Sequence, residues 1–465
     1  MSLVYDYSSD SDPEGLSSSG KTSFEQGKSE FVPTANGEPD SEGSKRHGKQ
    51  DELNYKSKRP KRSKRKGKGP WASWSSSDEE EEETGNISGK PVKFDSDRSQ
   101  PGYRENEFDL KNDNDVETVQ ESSQFYGESL VDYQGRSFLK PPLEENVNFT
   151  KEPLSFRTFL PKKLLHRYAG HGSGTNVVRM LPKSGHLFLS GGNDNILRLW
   201  DMYHERQLLR DYKGHSRGIR DANFNDDGTD FVSVSFDQQM KIWDTETGTI
   251  KHRYSFSSTP NCAEYRPNNS NELIVGLSNS EIRHYDLRVS HKQGLVQTYD
   301  HHLSSIIALK YFPDGSKLIS SSEDKTMRIW ENQVNIPIKQ ISDTAQYSMP
   351  YVAIHPANNY FAAQSMDNAI YTFSMKPKYK RHPKKKFEGH KCAGYGIGFT
   401  LSPDGRYICS GDTGGQIFIW DWKTTHLLKQ LEVPDKKPIS TLAWSPQETS
   451  KLVCAGNGGY IYLYD

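Results

Sequence analysis

The sequence lacks the features that would place it in a membrane, outside the cell or around a metal ion. Its 465 residues contain no run of about 18 consecutive apolar residues, which excludes a membrane-spanning helix. The first residues show neither the basic start nor the apolar core of a secretory signal. Cysteine is scarce, and the four residues have no close pairing: Cys262, Cys392, Cys409 and Cys454. We therefore expect a reducing compartment and a protein without disulfides or bound metal.

Neither sign of charge predominates in the whole chain. Lys and Arg total 60, Asp and Glu total 61, and the formal net charge is −1. Such a balance gives no general attraction to nucleic acid or to an anionic membrane. The hydrophobic content of 32% and the mean hydropathy of −0.86 are low for one globular body. Residues 1–124 hold almost no apolar run, so we predict a disordered, charged tail there, ahead of a folded region.

One signature recurs through the last two thirds of the chain. A Gly-His pair precedes an aromatic-acid pair in three units, which end at Trp200, Trp243 and Trp420. Weaker copies fill the gaps, and the aromatic position returns every 42 to 47 residues at Trp200, Trp243, Tyr285, Trp330, Phe373, Trp420 and Tyr464. This pattern resembles the WD repeat, in which each unit is a four-stranded blade. We therefore predict an all-β fold, a seven-bladed WD40 propeller over residues 164–465.

The same pattern predicts how the ring closes. The seventh unit has three strands before residue 465, whereas a complete blade has four. Residues 164–168 resemble residues 207–212, the segment that precedes the second Gly-His pair. We expect residues 164–168 to supply the missing strand, which would leave no exposed sheet edge at the junction.

Polar residues recur inside three of the units at the positions that form a hydrogen-bonded chain in WD repeats. These structural sets are His171, Ser190, Asp194 and Trp200; His215, Ser233, Asp237 and Trp243; and His302, Ser320, Asp324 and Trp330. A catalytic nucleophile would occur once, whereas these sets recur once per blade, so we interpret them as packing. We assign no catalytic, cofactor-binding or metal-binding residue and expect no enzyme.

The other units depart from this pattern. Gly414 and Gly458 stand where the acid would be, and Asn279 replaces it in the third unit. The fifth unit keeps Asp367 but lacks the Gly-His pair and the tryptophan. We expect these blades to be held by packing alone, with their rims free for binding.

The predicted tail is organised by charge. A basic block typical of nuclear import contains Lys58, Arg59, Lys61, Arg62, Lys64, Arg65 and Lys66. Trp71 and Trp74 follow, and an exposed tryptophan in a polar tail favours docking on a partner. Residues 75–77 are serines, each with an acid three positions on, which resembles a site for an acidophilic kinase.

Two further segments leave alternatives open. Residues 125–163 are either a linker along the propeller or an extended peptide that docks on a partner through Tyr133, Arg136 and Phe138. The second segment begins at Lys376, and its candidate contacts with RNA or an acidic protein are Lys378, Lys380, Arg381, Lys384, Lys385 and Lys386. Lysines that protect an edge strand are the alternative explanation.

Strings outside the repeats resemble one family more narrowly. They include Gly-Pro-Trp before an acidic run at residues 69–83, and residues 132–139, 160–163, 364–368 and 421–425. Together they are similar to the WD-repeat family of second-step pre-mRNA splicing factors. The resemblance implies a nuclear, non-enzymatic spliceosome component that acts after branching and supports exon ligation. It also implies proteins of the catalytic core, other second-step factors and nearby RNA as partners, with no membrane and no small-molecule substrate.

Two other classes of protein would use the same ring. A substrate adaptor of a ubiquitin ligase, or a component of a chromatin complex, would bind its target on one face of the propeller. A propeller hydrolase would need one unique polar constellation around the central channel, whereas the sequence shows repeated ones.

Overall fold

The computed structural model describes residues 120–142, 147–290, 293–343, 346–392 and 394–465. These residues form 29 β-strands in seven antiparallel sheets. The described part of the chain contains no helix that is long and apolar enough to cross a bilayer. The seven sheets confirm the predicted all-β propeller with seven blades. Residues 1–119, which include most of the predicted disordered tail, lie outside the described residues.

The blades follow one another in chain order, and each has four strands. Two strands precede the first blade, β1 (Ser122–Phe125) and β2 (Leu164–Ala169). Blades 1 to 3 comprise β3 (Thr175–Met180), β4 (Leu187–Gly192), β5 (Ile196–Asp201) and β6 (Leu208–Lys213); β7 (Ile219–Phe224), β8 (Asp230–Ser235), β9 (Gln239–Asp244) and β10 (Ile250–Ser255); and β11 (Pro260–Arg266), β12 (Asn269–Leu277), β13 (Ile282–Asp286) and β14 (Leu295–Tyr299).

The remaining four blades repeat this arrangement. Blades 4 and 5 comprise β15 (Ile306–Tyr311), β16 (Lys317–Ser322), β17 (Met327–Glu331) and β18 (Pro337–Ile341); and β19 (Tyr351–Ile354), β20 (Tyr360–Ser365), β21 (Ala369–Ser374) and β22 (Arg381–Glu388). Blades 6 and 7 comprise β23 (Phe399–Leu401), β24 (Tyr407–Ser410), β25 (Gln416–Asp421) and β26 (Leu427–Glu432); and β27 (Ile439–Trp444), β28 (Leu452–Gly456), β29 (Tyr460–Tyr464) and β2.

The hydrophobic core is divided among the interfaces between blades. Each of its seven clusters combines side chains of two consecutive blades, and one of them joins blade 7 to blade 1. The first strands of neighbouring blades lie side by side around the centre. A single sheet cannot bury both of its faces, so every blade depends on its two neighbours.

The ring closes between the first and last strands of the repeat region. β2 pairs antiparallel with β29, and Ala169 lies opposite Tyr460. The Arg167 guanidinium lies 3.4 Å from the ring centroid of Tyr460 and 3.1 Å from a carboxylate oxygen of Asp435. The predicted closure is therefore confirmed, and side-chain contacts reinforce the backbone pairing.

A fifth strand covers the outer edge of blade 1, which the repeat pattern does not predict. β1 pairs antiparallel with β6, and the Arg210 guanidinium lies 5.2 Å from the ring centroid of Phe125. Just upstream, a Glu121 carboxylate oxygen accepts hydrogen bonds from Lys241 at 2.8 Å and from Arg253 at 2.5 Å, both in blade 2. Residues 122–124 fall in the range predicted as tail but belong to this blade, because β1 satisfies an otherwise open sheet edge.

The described residues between β1 and β2 run across one face of the ring. This is the face where loops connect the first and second strands of each blade. The Lys151 N–H donates to Gln447 Oε1 in blade 7 at 3.0 Å. The Thr158 N–H donates to a carboxylate oxygen of Asp404 in blade 6 at 2.8 Å. The segment from β1 to β2 therefore contacts blades 1, 7 and 6, and Tyr133 is its most exposed aromatic side chain.

The closure predicts how truncation affects folding. A protein that begins at His171 lacks β2, so its seventh blade is incomplete and its ring is open. We expect it to lose the single cooperative transition in thermal unfolding followed by circular dichroism. A protein that begins at Ser155 keeps β2 and should keep the single transition. Identical melting curves for the two would contradict the role of β2.

Candidate functional site

Three blades contain the hydrogen-bonded chain that the sequence indicates. In blade 2 the Trp243 indole N–H donates to Ser233 Oγ at 2.9 Å, and Ser233 Oγ lies 2.8 Å from His215 Nε2. His215 Nδ1 lies 2.8 Å from Asp237. A carboxylate can only accept hydrogen bonds, so His215 Nδ1 carries the proton and Nε2 accepts a hydrogen bond from the Ser233 hydroxyl. The other two sets are equally brought together: His171, Ser190, Asp194 and Trp200, and His302, Ser320, Asp324 and Trp330.

The Ser-His-Asp geometry in these blades is that of a buried structural group. The Ser233 side chain is fully buried, and its oxygen already accepts the indole proton. Burial lowers the pKa of His215, which keeps its imidazole neutral. A hydroxyl that is closed to substrate and bound on both sides cannot act as a nucleophile.

Each aspartate of these sets also supports the turn between the second and third strands. Asp194 Oδ1 accepts the Ile196 N–H at 3.4 Å, and Asp237 Oδ1 accepts the Gln239 N–H at 2.9 Å. Burial by itself would raise the pKa of Asp194, but the hydrogen bond with His171 and the charge of Arg198 outweigh it and lower the pKa to about 2. One ionised side chain therefore holds both the imidazole and the turn.

The sixth blade replaces this chain with bonds to the preceding blade. His390 Nε2 lies 3.0 Å from Gln364 Oε1 of β20, and the Trp420 indole N–H donates to the Glu388 carbonyl at 3.0 Å. Burial lowers the pKa of His390 to about 4. The expectation that the irregular blades are held by packing alone is therefore wrong for this blade.

Blades 5 and 7 use a tyrosine and a carboxylate instead. The Tyr371 hydroxyl donates to Asp367 Oδ2 at 2.5 Å, and the Tyr462 hydroxyl donates to Asp435 Oδ2 at 2.5 Å. Buried hydroxyls need partners, and these bonds supply them. The expectation of packing alone is wrong here too. Comparison among the units identified Asp367 at the acid position but missed Tyr371, Tyr462 and Asp435, because these residues do not occupy the positions of the repeated set.

The candidate basic segment runs along the outer strand of blade 5 and the loop before it. Four of its residues are exposed and form the strip that we name the basic edge: Lys378, Lys380, Arg381 and Lys384. Of these four, Arg381 is exposed but also stacks on Tyr371, with its guanidinium 3.7 Å from the ring centroid. The two other candidates also have partners. Lys385 Nζ lies 4.5 Å from the Trp422 ring centroid, and Lys386 forms an ion pair with Glu388. The pKa of Lys385 is lowered by burial.

Backbone irregularity makes the basic edge a poor template for another strand. The pairing register between β21 and β22 shifts between Tyr371 and Phe373, and Pro383 lies in the irregular stretch. Proline and a bulge both interrupt edge pairing. The bulge and the proline already prevent another strand from pairing here, so the exposed cations are not required for that purpose. This favours contact with an anionic partner over the alternative that the lysines protect an edge strand.

The candidate contacts of the N-terminal segment have different environments. Tyr133 is 75% exposed, whereas Phe138 packs against Phe125 with ring centroids 5.2 Å apart. Arg136 forms an ion pair with Asp132 at 2.6 Å. Only Tyr133 of the three is free to meet a partner. Trp71, Trp74, the basic block and the serines at 75–77 lie outside the described residues.

The described residues contain no group of three or more His, Cys, Asp and Glu side chains arranged to hold a metal ion. All four cysteines there are free and buried.

Comparison with known proteins identifies similar sequences. Residues 162–201, 206–244, 293–331 and 381–421 match the WD domain, G-beta repeat family. Pre-mRNA-processing factor 17 of Saccharomyces cerevisiae is 52% identical over 465 residues, the whole of both chains. The human protein of that name is 35% identical over 399 residues, 85% of this chain and 67% of the human one. WD repeat-containing protein 25 of Mus musculus is 26% identical over 316 residues, 66% of this chain and 58% of the mouse one.

The hydrogen-bonded chain of blade 2 predicts a large effect of Trp243→Ala. The substitution empties a site that is 1% exposed and leaves Ser233 without its donor. We expect the free energy of unfolding in urea to fall by about 3 to 5 kcal/mol. Leu303→Ala, at a site that is 86% exposed, should change it by less than about 0.5 kcal/mol. A loss below about 1 kcal/mol for Trp243→Ala would show that the indole is dispensable.

The low pKa of His390 predicts a dependence of stability on pH. The unfolded chain protonates this imidazole near its usual pKa of about 6.5, whereas the folded protein does so at about 4. Its contribution to stability is therefore present at neutral pH and is lost as the pH falls from about 6.5 to about 4. Between pH 7 and pH 5 we expect His390→Gln to lose about 2 kcal/mol less than the unaltered protein in urea unfolding. Equal losses would contradict the buried, neutral imidazole.

Proposed function

The chain belongs to the pre-mRNA-processing factor 17 family, and we propose that it is a nuclear, non-enzymatic spliceosome component that promotes exon ligation. The observation that carries the proposal is the match of 52% identity over all 465 residues. That match includes the segments outside the propeller, whereas the similarity to WD repeat-containing protein 25 covers 66% of the chain. Similarity confined to repeats would support only the fold.

We propose that the protein acts by holding one arrangement of the catalytic core after branching. A ring whose seven blades each depend on their neighbours is rigid, and it presents several surfaces in fixed relation. The buried Ser-His-Asp sets are engaged in structure and donate no group to chemistry. Stabilising the arrangement that precedes ligation increases the fraction of particles that are ready to react, and this needs no catalytic residue.

The proposed partners are proteins of the catalytic core, other second-step factors and RNA in the particle. The basic edge is the proposed RNA contact, because four exposed cations in a short stretch can neutralise phosphates. Trp71 and Trp74 stay predicted protein contacts in the tail, and the basic block around Lys61 stays the predicted import signal.

Depletion from a splicing extract tests the proposal. We expect branching to proceed without the protein, because its chemistry does not need the later arrangement. Free first exon and lariat intron–exon should accumulate on a denaturing gel, and added recombinant protein should convert them to ligated exons. A depleted extract that stalls before branching, or one that splices normally, would overturn the proposed step.

The same rescue assay tests the basic edge by exchanging its four cations for glutamine. Rescue should weaken, and its salt dependence should become shallower, because each lost phosphate contact removes about 0.7 to 0.9 from the slope of log affinity against log salt. A matched control neutralises four exposed lysines elsewhere: Lys339, Lys423, Lys436 and Lys437. Equal effects of the two sets would indicate net charge rather than a contact.

A further inference from the structure

A small hairpin, residues 130–138, projects from the segment beside blade 1. Its two arms meet at a bridge between Val131 and Ser137, and the Phe138 N–H donates to the Leu130 carbonyl at 3.1 Å. The base is fixed to the ring, since the Phe138 carbonyl lies 3.1 Å from His186 Nε2 in blade 1. The hairpin is therefore a rigid extension of the propeller.

The turn at its tip is closed by one carboxylate. Asp132 Oδ1 accepts the N–H groups of Gln134 and Arg136 at 2.9 Å each, and Asp132 Oδ2 lies 2.6 Å from the Arg136 guanidinium. The bond from the Arg136 N–H is the main reason that the pKa of Asp132 lies below its usual range. Gly135 adopts a φ of 76°, which a turn of this kind requires. These bonds fix the conformation of the turn that carries Tyr133.

The tip leaves apolar surface in water. Tyr133 is 75% exposed, and its neighbours Leu130 and Val131 are 46% and 47% exposed. Three large hydrophobic side chains on one short hairpin thus leave apolar area in water, and contact with a partner would bury it. Because the backbone of the turn is already ordered, the hairpin loses little backbone entropy when it binds.

We propose that this hairpin is a preformed docking element and that Tyr133 enters an apolar pocket on a protein of the spliceosome. The charges favour a protein over nucleic acid. Arg136 is neutralised by Asp132, and the other exposed charges nearby, Glu128 and Lys140, cancel each other. A surface without net positive charge has no attraction for phosphates. The inference rests on the proposed function, because it takes its partner from the same particle.

The test uses the full chain, labelled with a fluorophore, and post-branching spliceosomes purified from depleted extract as the probe. Tyr133→Ala should weaken binding to these particles by about 30-fold or more, as expected for a central aromatic anchor. Tyr133→Phe keeps the ring and should stay within about fivefold. Thermal unfolding should be unchanged in both, because the side chain is exposed.

Two further variants separate the anchor from general effects. Gly135→Ala adds a methyl group that meets nothing within 4 Å but opposes the positive φ, so it loosens the turn alone. Its binding should fall between those of Tyr133→Phe and Tyr133→Ala. Phe159→Ala removes a ring that is 55% exposed elsewhere on the segment and should bind within about twofold of the unaltered protein.

The possible failures are distinct. Binding of Tyr133→Ala within about twofold of the unaltered protein would overturn the docking element and leave the proposed function standing. Weakened binding of Tyr133→Ala to a labelled single-stranded RNA would mark the hairpin as an RNA site and also overturn it. Failure of the unaltered protein to bind the particles would overturn the proposed function, and this inference with it.

Discussion

Closure of the ring by β2 is the constraint on which the other features depend. Each of the seven hydrophobic clusters lies between two blades, so no blade has a core of its own. An open ring would expose one interface and an unpaired edge of β29 together. The pairing of β2 with β29 joins segments almost 300 residues apart in sequence. The entropic cost of closing this loop arises once, and the closed ring then holds all seven interfaces together.

The turn between the second and third strands imposes a second constraint, and the blades meet it in two ways. Every such turn has one residue with positive φ: Asn195, Gln238, Ser280, Lys325, Asn368, Gly415 and Gly459. Where the residue before it is Asp or Asn, the position with positive φ is occupied by a residue other than glycine. Where that residue is glycine, the next is glycine as well. A Cβ at Gly415 would also lie 2.6 Å from backbone atoms of Lys436, and one at Gly459 would lie 2.5 Å from the His171 carbonyl. Loss of the acid in blades 6 and 7 is therefore coupled to a Gly-Gly turn.

The sequence predicts the features that recur from unit to unit, and it predicts less well the contacts that occur only once. Periodic aromatic positions predicted the seven blades, and the likeness of residues 164–168 to residues 207–212 predicted the closing strand, because both follow from the repeat itself. No periodicity could reveal that Glu121 neutralises the buried ammonium of Lys241, or that Gln364 of one blade bonds His390 of the next. Those bonds join unlike positions, and only the fold brings them together. The same limit explains why Lys385 and Lys386 looked as available as Lys384.

The outer strands are where the blades can differ at least cost. An inner strand packs between neighbours on both sides, whereas an outer strand has one edge that no sheet partner needs. Blade 1 covers that edge with β1, and the edge of blade 5 carries cations and a bulge. In blade 7 the outer strand is β2 itself, and its pairing with β29 closes the ring. The hairpin beside blade 1 extends the same principle, because its base is anchored while its tip is not. Since side chains at these exposed places contribute little to the core, they can change to suit a partner while the ring beneath them stays the same.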